Sequence, residues 1–441
     1  MSEAVLARPA PALSLRRARF TENVLGTLWF IPLCFALGAW VLSRATLAVD
    51  RSTDAPDAFD IVLPGDPTAV AAVAATVAAA MLTFLGVVFA TTMVAIQLAS
   101  SQYSPRIVRV FVRSRVTQVT LGVFLATFVF ALNALVGTRE STDPFIPAIT
   151  STLMYLLVLA TVVMFLLFIH GMVRLLRVQY LLRLTSRSAH EAIDGAFPDA
   201  AAYREVPAPI RSSAPRAVRA RLSGGRHRGA PRVLQAVDAA GLARVAARYG
   251  CWGEMQVATG AHAGPASVVA LVHGDDPAAL TDEDLHAHLL FGSERTLLQD
   301  PGFGFRQLVD TASRALSPAI NDPTTAVQAL LRVEDLLARV IDQPDPTGWY
   351  TDHDGTVRVR LIEPGFLRLA TLGLTEVLHY GEQAPQVIRA LLAVCRDLAA
   401  IAPADRRSFF EDFGRRCIDT AGDQMPGLGE LAIQPDRMGL G

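Results

Sequence analysis

The residues best placed to do chemistry lie in one stretch, GSERTLLQDPGFGFRQLVDTASRALSPAINDPTTA, which spans positions 292–326. Its candidate site consists of five polar residues: Arg306, Asp310, Arg314, Asn321 and Asp322. The first three are four residues apart, so on a helix they share one face and can form ion pairs. The five residues could bind a ligand or an ion, or contact a second subunit. The alternative is that helix capping and surface ion pairs account for all of them.

Two Asp-Pro pairs predict the helices that position this cluster. Asp300 precedes Pro301 and Asp322 precedes Pro323, and a capping carboxylate before a proline at the first helical position is typical of a helix start. Apolar residues follow each pair at helical spacing, which predicts a buried face on each helix. The second helix is expected to run from Pro323 to about residue 341.

Histidines and carboxylates elsewhere do not form a convincing metal or catalytic motif. His286 and His288 are two residues apart on a predicted helix, whereas helical metal ligands are usually three or four apart. Asp352, Asp354 and Gly355 resemble the start of a calcium loop, but the later glycine and glutamate of that loop are missing, so a hairpin turn is the better interpretation. Nucleotide-binding, nucleophile-elbow and zinc-protease motifs do not occur. We therefore expect no catalytic residue, metal or cofactor.

The composition indicates that part of the chain lies in a lipid bilayer and not in water. The 441 residues are 51% hydrophobic and 18% charged, and the mean hydropathy is +0.35. A helix of roughly 20 apolar residues crosses the hydrocarbon core of a bilayer. Four windows meet that condition: 23–47, 69–99, 119–137 and 146–169. The net charge of -1 gives no reason to expect nucleic-acid binding, and the lipid bilayer is the expected partner.

Arginine predicts how these windows are oriented. The N-terminal arm, the loop after the second window and the exit from the fourth are rich in arginine, whereas the other two loops are mainly acidic. Positively charged loops near membrane spans remain cytoplasmic. Both termini are therefore expected in the cytoplasm of a bacterium, with the protein in the inner (plasma) membrane.

The second window carries a stripe of small or weakly polar residues on one helical face. The candidate pore-lining residues are Thr76, Ala80, Thr83, Ala90 and Gln97, with Val87 and Val94 between them. Close packing between helices is one interpretation, because small residues let helix backbones approach in lipid. The other is a water-filled path lined by this face when several subunits surround an axis.

The loop after this window contains Arg106, Arg109 and Arg113 in the sequence SPRIVRVFVRSR. As a short amphipathic helix it would place these arginines at the anionic membrane surface. A plain positively charged loop is the alternative.

The remaining chain predicts a C-terminal cytosolic α+β region that is mostly helical, following an α-helical integral membrane part with four transmembrane helices. Pro, Ala, Arg and Gly in residues 197–231 indicate a linker. The predicted parts are an N-terminal arm (1–20), a transmembrane domain (21–171), a juxtamembrane helix and linker (172–231), a small α/β subdomain (232–292), a helical subdomain (293–423) and a disordered tail (424–441).

Three motifs resemble a bacterial family of predicted membrane proteins known as domain of unknown function 2254. They are QLASSQYSPR running into LGVFLATFVFAL, GSERTLLQDPGFGFRQLVD, and RALSPAINDPTTA. The resemblance covers nearly the whole chain and implies a four-span inner-membrane protein with a cytoplasmic domain. It implies no activity, but it strengthens the case for a role beyond capping at Asp310 and at residues 321–325.

Three classes of function fit these patterns. The first is a homo-oligomeric channel or pore-type protein with a cytosolic regulatory domain, because the stripe on the second span needs neighbours and symmetric rings can enclose a path. The alternative is a membrane-anchored sensor or scaffold, whose cytosolic domain binds a small ligand or protein partner through the Arg306 to Asp322 cluster. A membrane enzyme comes last, since only the polar cluster suggests it.

Overall fold

The structure is a computed structural model that describes residues 4–9, 27–52, 67–102, 114–139, 148–175, 177–197, 200–220 and 232–422. These residues belong to two compact units. The unit Phe20–Leu181, which contains the candidate membrane spans, is named the membrane unit here, and the unit that combines Met1–Arg19 with Leu182–Gly441 is named the soluble unit.

Four long apolar helices make up the membrane unit. They are α1 (Phe30–Ser52), α2 (Pro67–Gln102), α3 (Arg115–Arg139) and α4 (Ala148–Leu175). Each is long and apolar enough to cross a membrane, as the four sequence windows predicted. Helix α3 contacts the other three helices. Half of its apolar window is buried, compared with at most 28% of the window of any other helix, so α3 is the central helix of this unit.

Helix α3 approaches α1 closely through two glycines. A Cβ atom at Gly122 would lie 2.9 Å from the Phe35 ring, and one at Gly137 would lie 2.6 Å from a Leu47 methyl group. Small residues at such crossings let dispersion contacts hold helices together where lipid offers no hydrophobic driving force.

Ten strands of the soluble unit form two sheets. The strands are β1 (Ala4–Pro9), β2 (Arg204–Pro207), β3 (Arg216–Arg219), β4 (Arg232–Val237), β5 (Trp252–Met255), β6 (His262–Ala263), β7 (Val268–His273), β8 (Leu289–Gly292), β9 (Trp349–Thr351) and β10 (Val357–Arg360). The larger sheet has the order β2-β1-β9-β10-β5-β7-β3, and the smaller has the order β6-β4-β8. Strand β1 runs antiparallel to β2 and parallel to β9, which places the N-terminal segment inside the larger sheet.

Eight helices complete the description. They are α5 (Val178–Ala196), α6 (Ala239–Arg248), α7 (Asp282–His286), α8 (Pro301–Ala315), α9 (Pro323–Val340), α10 (Phe366–Gly381), α11 (Pro385–Ile401) and α12 (Ala404–Gly422). Helices α8 to α12 pack on one another, and their buried faces keep the helical period expected from the sequence. The coarse class is therefore confirmed: a mostly helical chain with four candidate membrane spans and a C-terminal α+β region.

Residues 275–290 (DDPAALTDEDLHAHLL) contain the short helix α7 and the first half of β8 in place of one long helix. The guanidinium group of Arg216 explains the late start, because it donates hydrogen bonds to the carbonyls of Pro277 and Leu280 and pairs with Asp282. Thr281 then caps α7 through a reciprocal capping box with Asp284. Carbonyls already bonded to arginine do not need a helix to satisfy them.

Three further segments form strands that their local composition does not predict. Strands β2 and β3 lie within residues 197–231, where composition predicts a linker, and β1 lies in the predicted N-terminal arm. His262 and Ala263 form β6 against β4. In each case pairing with a distant strand decides the conformation, and local composition does not report such pairing.

Candidate functional site

The predicted polar cluster is built on α8 and the start of α9. The Nε of Arg306 lies 2.5 Å from Oδ1 of Asp310, as the four-residue spacing predicted. Its two terminal nitrogens bind both carboxylate oxygens of Glu376 on α10. This bidentate contact raises the pKa of Arg306 and lowers the pKa of Glu376. Arg306 therefore joins two helices, and Glu376 is a partner that sequence spacing did not reveal.

Asp322 and Asn321 occupy the turn between α8 and α9. The Asp322 carboxylate accepts hydrogen bonds from the Thr325 backbone N–H at 3.1 Å and from its hydroxyl at 2.5 Å, so it caps α9 as predicted. Asn321 has a φ of +47°, the left-handed conformation that asparagine tolerates better than most residues. Arg314 lies one turn beyond Asp310, in the last turn of α8. These contacts give the cluster structural roles, and its role in binding stays a prediction.

The stripe on α2 is exposed in the membrane unit. Thr76, Thr83, Ala90 and Gln97 are all exposed, and Ala80 is half-buried. A different face of the helix, which includes Ala74, Ala78, Val88 and Ala95, is buried in the cores of this unit. Packing within one subunit therefore does not account for the stripe.

The hydroxyl groups of the stripe are already bonded within α2. Thr76 donates to the carbonyl of Ala72 at 2.9 Å, and Thr83 donates to the carbonyl of Ala79 at 3.1 Å. Beside Thr76 and Ala80, a groove of about 330 Å³ opens among α2, α3 and α4. Its walls are apolar and include three phenylalanine rings: Phe84, Phe124 and Phe165. Within one subunit this surface suits lipid or another helix better than water.

The predicted membrane-surface residues Arg106, Arg109 and Arg113 lie outside the residues that the structure describes. The predicted tail from 424 onward lies outside them as well.

A second site, which the sequence did not predict, lies in the soluble unit. We call it the α5 pocket: a cavity of about 190 Å³ lined by Ala192, Gly195 and Ala196 of α5, by Val237 at the end of β4, by Tyr350 of β9 and by residues 361–364, which follow β10. Gly195 is notable because a Cβ atom there would meet no atom within 4 Å.

One wall of the α5 pocket contains a buried polar cluster of Arg8, Tyr350 and Glu363. An Nη atom of Arg8 donates to the Tyr350 hydroxyl at 2.5 Å and to Oε1 of Glu363 at 3.0 Å. The Tyr350 hydroxyl in turn lies 2.5 Å from the same Oε1. Arg8 comes from β1, so the N-terminal strand completes a site whose other members lie more than 340 residues later.

Burial shifts the proton equilibria of all three groups. Burial raises the pKa of Glu363, although Arg8 opposes the shift. Burial together with the Glu363 charge raises the pKa of Tyr350 well above its ordinary value. Burial alone would lower the pKa of Arg8, but Tyr350 and Glu363 outweigh it and the pKa is raised. Tyr350 is therefore neutral at pH 7 and Arg8 is charged.

The two carboxylate oxygens of Glu363 have different surroundings. Oε1 binds Arg8 and Tyr350, whereas Oε2 is buried and meets no donor among the described residues with full hydrogen-bond geometry. The backbone N–H of Gly348 nevertheless opposes the rise in the pKa of this carboxyl group. The amide of Gln299, which also lines the pocket, exchanges two hydrogen bonds with the backbone of Val237 at 2.8 and 3.0 Å. Because Oε2 has almost no accessible surface, it is a packed atom of this wall and not an open position of the cavity.

Possible metal ligands converge only weakly in the described residues. Ligand atoms of Asp352, His353 and Asp354 lie within 4.8 Å of one another. However, the Asp352 carboxylate already accepts hydrogen bonds from the Asp354 and Thr356 backbones and from Arg358, at 2.8 to 3.0 Å. Gly355 has a φ of +79°, and the segment joins β9 to β10 as the predicted hairpin turn. The arrangement is accounted for as a turn.

The fold defines a class of protein: a predicted multi-span membrane protein with four apolar helices and an α+β soluble unit. The chain belongs to the family described as "Predicted membrane protein (DUF2254)", whose model matches residues 26–397. The resemblance drawn from its motifs is thereby confirmed.

Two relatives are uncharacterized proteins of Mycobacterium tuberculosis (strain H37Rv) and Mycobacterium bovis. Each is 29% identical over 404 residues, which cover 89% of this chain and 75% of the relative. No solved structure matches the chain significantly.

Proposed function

We propose that the protein is a membrane-anchored sensor. A small ligand occupies the α5 pocket of the soluble unit, and helix α5 transmits its presence to the membrane unit. In this proposal the protein lies in the inner membrane of a bacterium with both termini in the cytoplasm, which the distribution of arginine supports.

The observation that carries this proposal is the continuity of α5. Leu181, in its first turn, is part of a core of the membrane unit, and Val178 and Tyr180 pack against that core. Ala192, Gly195 and Ala196, in its last turns, line the pocket. A single helix of 19 residues therefore takes part in both places.

Helix α5 is also held firmly to the soluble unit. A Cβ atom at Gly304 of α8 would lie 2.3 Å from the Cβ of Ala189, so the two helices cross at a distance that only glycine permits. Asp194 forms an ion pair with Arg339 of α9 at 2.8 Å. A ligand that changed the position of α5 would act on a packed element, which is how differential contacts shift a conformational equilibrium.

Filling the pocket without any ligand tests this proposal. We expect Gly195→Leu, which adds a side chain to the pocket wall, to change hydrogen–deuterium exchange of residues 170–182 in full-length protein in lipid nanodiscs. Arg187→Leu is the matched control, because Arg187 is exposed on the same helix and does not line the pocket. Equal exchange in wild type and Gly195→Leu would contradict the proposal.

A homo-oligomeric pore is a second candidate, and one observation favours it. The stripe of Thr76, Ala80, Thr83, Ala90 and Gln97 is left uncovered by the packing of one subunit. Several copies around an axis would bring these faces together. The ligand-binding unit would then regulate the path.

Counting subunits and measuring ion flux tests the second candidate. We expect a defined oligomer in detergent and flux in proteoliposomes that falls when Thr83 is replaced by a bulky residue such as Phe. Phe at the exposed position Leu82, one residue away but off the stripe, is the control. A monomer without flux would rule out the pore and leave the sensor proposal unaffected.

A further inference from the structure

We infer that His273 is the acid-sensitive latch of a strap that crosses one face of the larger sheet. The strap consists of residues 208–215, which join β2 to β3. These two strands are the opposite edges of the larger sheet, so the chain between them has to cross it. The strap is fastened while the His273 ring is neutral and is released when the ring is protonated. This device does not depend on the α5 pocket.

The strap passes over the face of the sheet that is turned away from the core. Val272 lies in the buried core of the soluble unit, on the other face. Because side chains alternate along a strand, Trp252, Glu254 and His273 share the face beneath the strap. Trp252 and His273 are partners in the register of β5 and β7, and their rings stack with centroids 4.3 Å apart. The indole N–H of Trp252 also donates to the carbonyl of Ile210 at 3.0 Å, which holds the strap against this face.

Ser212 is the residue of the strap that the latch holds. Its backbone N–H donates to Nδ1 of His273 at 3.2 Å. Its hydroxyl donates to the carbonyl of Gly274 at 3.3 Å and accepts from the Gly274 N–H at 3.0 Å. Next to it, Arg211 pairs with Glu254 at 2.9 Å. Of these groups, only an imidazole ordinarily changes its charge between pH 5 and 8, so proton uptake by His273 is the step that can open the latch in that range.

The hydrogen bond from Ser212 requires one protonation state of His273. An imidazole nitrogen that accepts a hydrogen bond carries no proton, so the proton of the neutral ring is on Nε2. Nε2 has no hydrogen-bond partner among the described residues, which leaves Nδ1 as the contact that holds the strap. A second proton would bind Nδ1 and would face the Ser212 N–H as donor against donor. Protonation therefore replaces the hydrogen bond with a repulsive contact.

The groups that face His273 act on its proton equilibrium in opposite directions. His273 is 3% exposed, and burial lowers its pKa below the ordinary value of 6.5. The carboxylate of Glu254 on β5, 3.6 Å from Nε2, opposes this shift, whereas Arg211 of the strap adds to it. Arg360 of β10 binds the same carboxylate at 2.5 Å and so balances part of its charge. The pKa is lowered overall, so the latched ring is neutral at pH 7.

Acid favours the released strap, because a ring exposed to water regains its ordinary pKa. Below pH 6.5 the released state binds a proton that the latched state binds only at lower pH, so the latch weakens as the pH falls from 6.5 towards the lowered pKa. Above pH 6.5 both states are neutral and the latch keeps its full strength. Between pH 7.5 and 5.5 the ratio of released to latched strap should therefore rise by about fivefold to tenfold.

Hydrogen–deuterium exchange of the full-length protein in lipid nanodiscs tests this inference. Exchange of peptides that cover residues 208–216 is measured at pH 7.5 and 5.5 and divided by the intrinsic rate of an unfolded peptide at each pH, so the remaining change reports opening of the strap. We expect its protection to fall by about fivefold to tenfold at the lower pH, while helix α9 keeps its protection. Equal protection of the strap at both pH values would overturn the inference.

Two variants separate the titrating group from the other contacts of the strap. His273→Asn places an oxygen near the position of Nδ1 that accepts a hydrogen bond but does not titrate, so protection of the strap should become independent of pH. Ser212→Ala removes the hydroxyl contacts with Gly274 and keeps the backbone N–H, so protection should be lower at both pH values with the same ratio between them. A pH response that survived in His273→Asn would belong to another group, such as Glu254, and would contradict the inference.

His262→Asn is the matched control. His262 is exposed on β6 of the smaller sheet, so its replacement should leave the pH response of the strap unchanged. Unchanged exchange of helix α9 in both histidine variants shows that the soluble unit remains folded. If His262→Asn abolished the response as completely as His273→Asn does, the response would not arise at the latch and the inference would fail.

Discussion

The two units of this protein satisfy their polar side chains in different ways. In the membrane unit most threonine hydroxyls donate to a carbonyl one turn earlier on the same helix, as Thr83, Thr92 and Thr127 do at 2.7 to 3.1 Å. In the soluble unit many polar groups reach across the fold, as Arg8, Arg216 and Arg306 do. Hydrocarbon offers no water to a polar group, which favours a partner within its own helix.

Asp50 is one of the polar side chains of the membrane unit that bond to a different helix, as Arg51 also does. Asp50 lies near the end of α1, is 3% exposed, and accepts hydrogen bonds from the backbone N–H groups of Ile149 and Thr150 and from the Thr150 hydroxyl, at 2.6 to 3.1 Å. The first apolar window ends at residue 47, so the sequence places Asp50 in the acidic loop that follows it. The carboxylate instead caps α4 from a different helix, which fixes the ends of two spans together.

The location of the hydrogen-bond partner therefore divides the polar side chains into two classes. Hydroxyls bonded within their own helix leave a helix face free to contact lipid or another subunit, whereas polar groups bonded across the fold hold particular elements in place. Substitutions in the second class should therefore be much more costly than substitutions in the first.

The largest effect is expected at the crossing of α5 and α8. Gly304→Leu forces a side chain onto the Ala189 backbone, whose Cα lies 3.2 Å from a Cβ at position 304. We expect the free energy of unfolding of the soluble unit to fall by about 3 kcal/mol, as measured by chemical denaturation in detergent. Gly195→Ala, on open space, should instead raise stability by about 0.5 kcal/mol. Similar losses in both variants would show that the crossing is not tight.

Asp50→Ala tests the contact that joins α1 to α4 in the membrane unit. It leaves three donors of α4 without their acceptor, so we expect the membrane unit to lose about 2 kcal/mol of stability. Asp50→Asn, which keeps one acceptor oxygen, should lose less. Unfolding in mixed micelles with increasing denaturing detergent measures both losses. If Asp50→Ala behaved like wild type, the contact between Asp50 and the start of α4 would not stabilise this unit.

The Arg306–Glu376 pair should show a pH-dependent effect. Arg306 lowers the pKa of Glu376 below its ordinary value of 4.5, so the pair stabilises the folded state above that value and this contribution is lost as the pH falls through the lowered pKa. Glu376→Gln should cost about 1 kcal/mol at pH 7, since the pair is partly exposed, and progressively less below pH 4. Thermal unfolding at several pH values measures the difference. A loss that did not depend on pH would indicate packing and not charge.

The smallest effect is expected on the α2 stripe. Thr83→Ala removes a hydroxyl bonded only within its own helix and exposed on the unit, so stability should change by less than about 0.5 kcal/mol. Denaturation in micelles, where the protein is diluted to single subunits, gives the value. A stability loss above about 1 kcal/mol would show that the α2 stripe is as costly to change as the polar groups that bond across the fold.

Much of this fold follows from local sequence patterns. The spans follow from uninterrupted apolar length, and helices α8 and α9 begin at Pro301 and Pro323 because an Asp-Pro pair both caps and starts a helix. The ion pair of Arg306 with Asp310 follows from the rise of the helix. Each of these features depends on residues that are close together along the chain, so the sequence alone determined them.

The tertiary structure decided what lies together from distant parts of the chain. The α5 pocket needs Arg8 from the first strand, Tyr350 from the ninth and Glu363 beyond the tenth, and Asp50 finds its donors 100 residues later. A single arginine near the N-terminus carries the same sequence signal whether it faces a lipid headgroup or a buried glutamate. The physical reason is that strand pairing and helix crossing depend on shape and contacts across the whole unit, which spacing along the chain does not record.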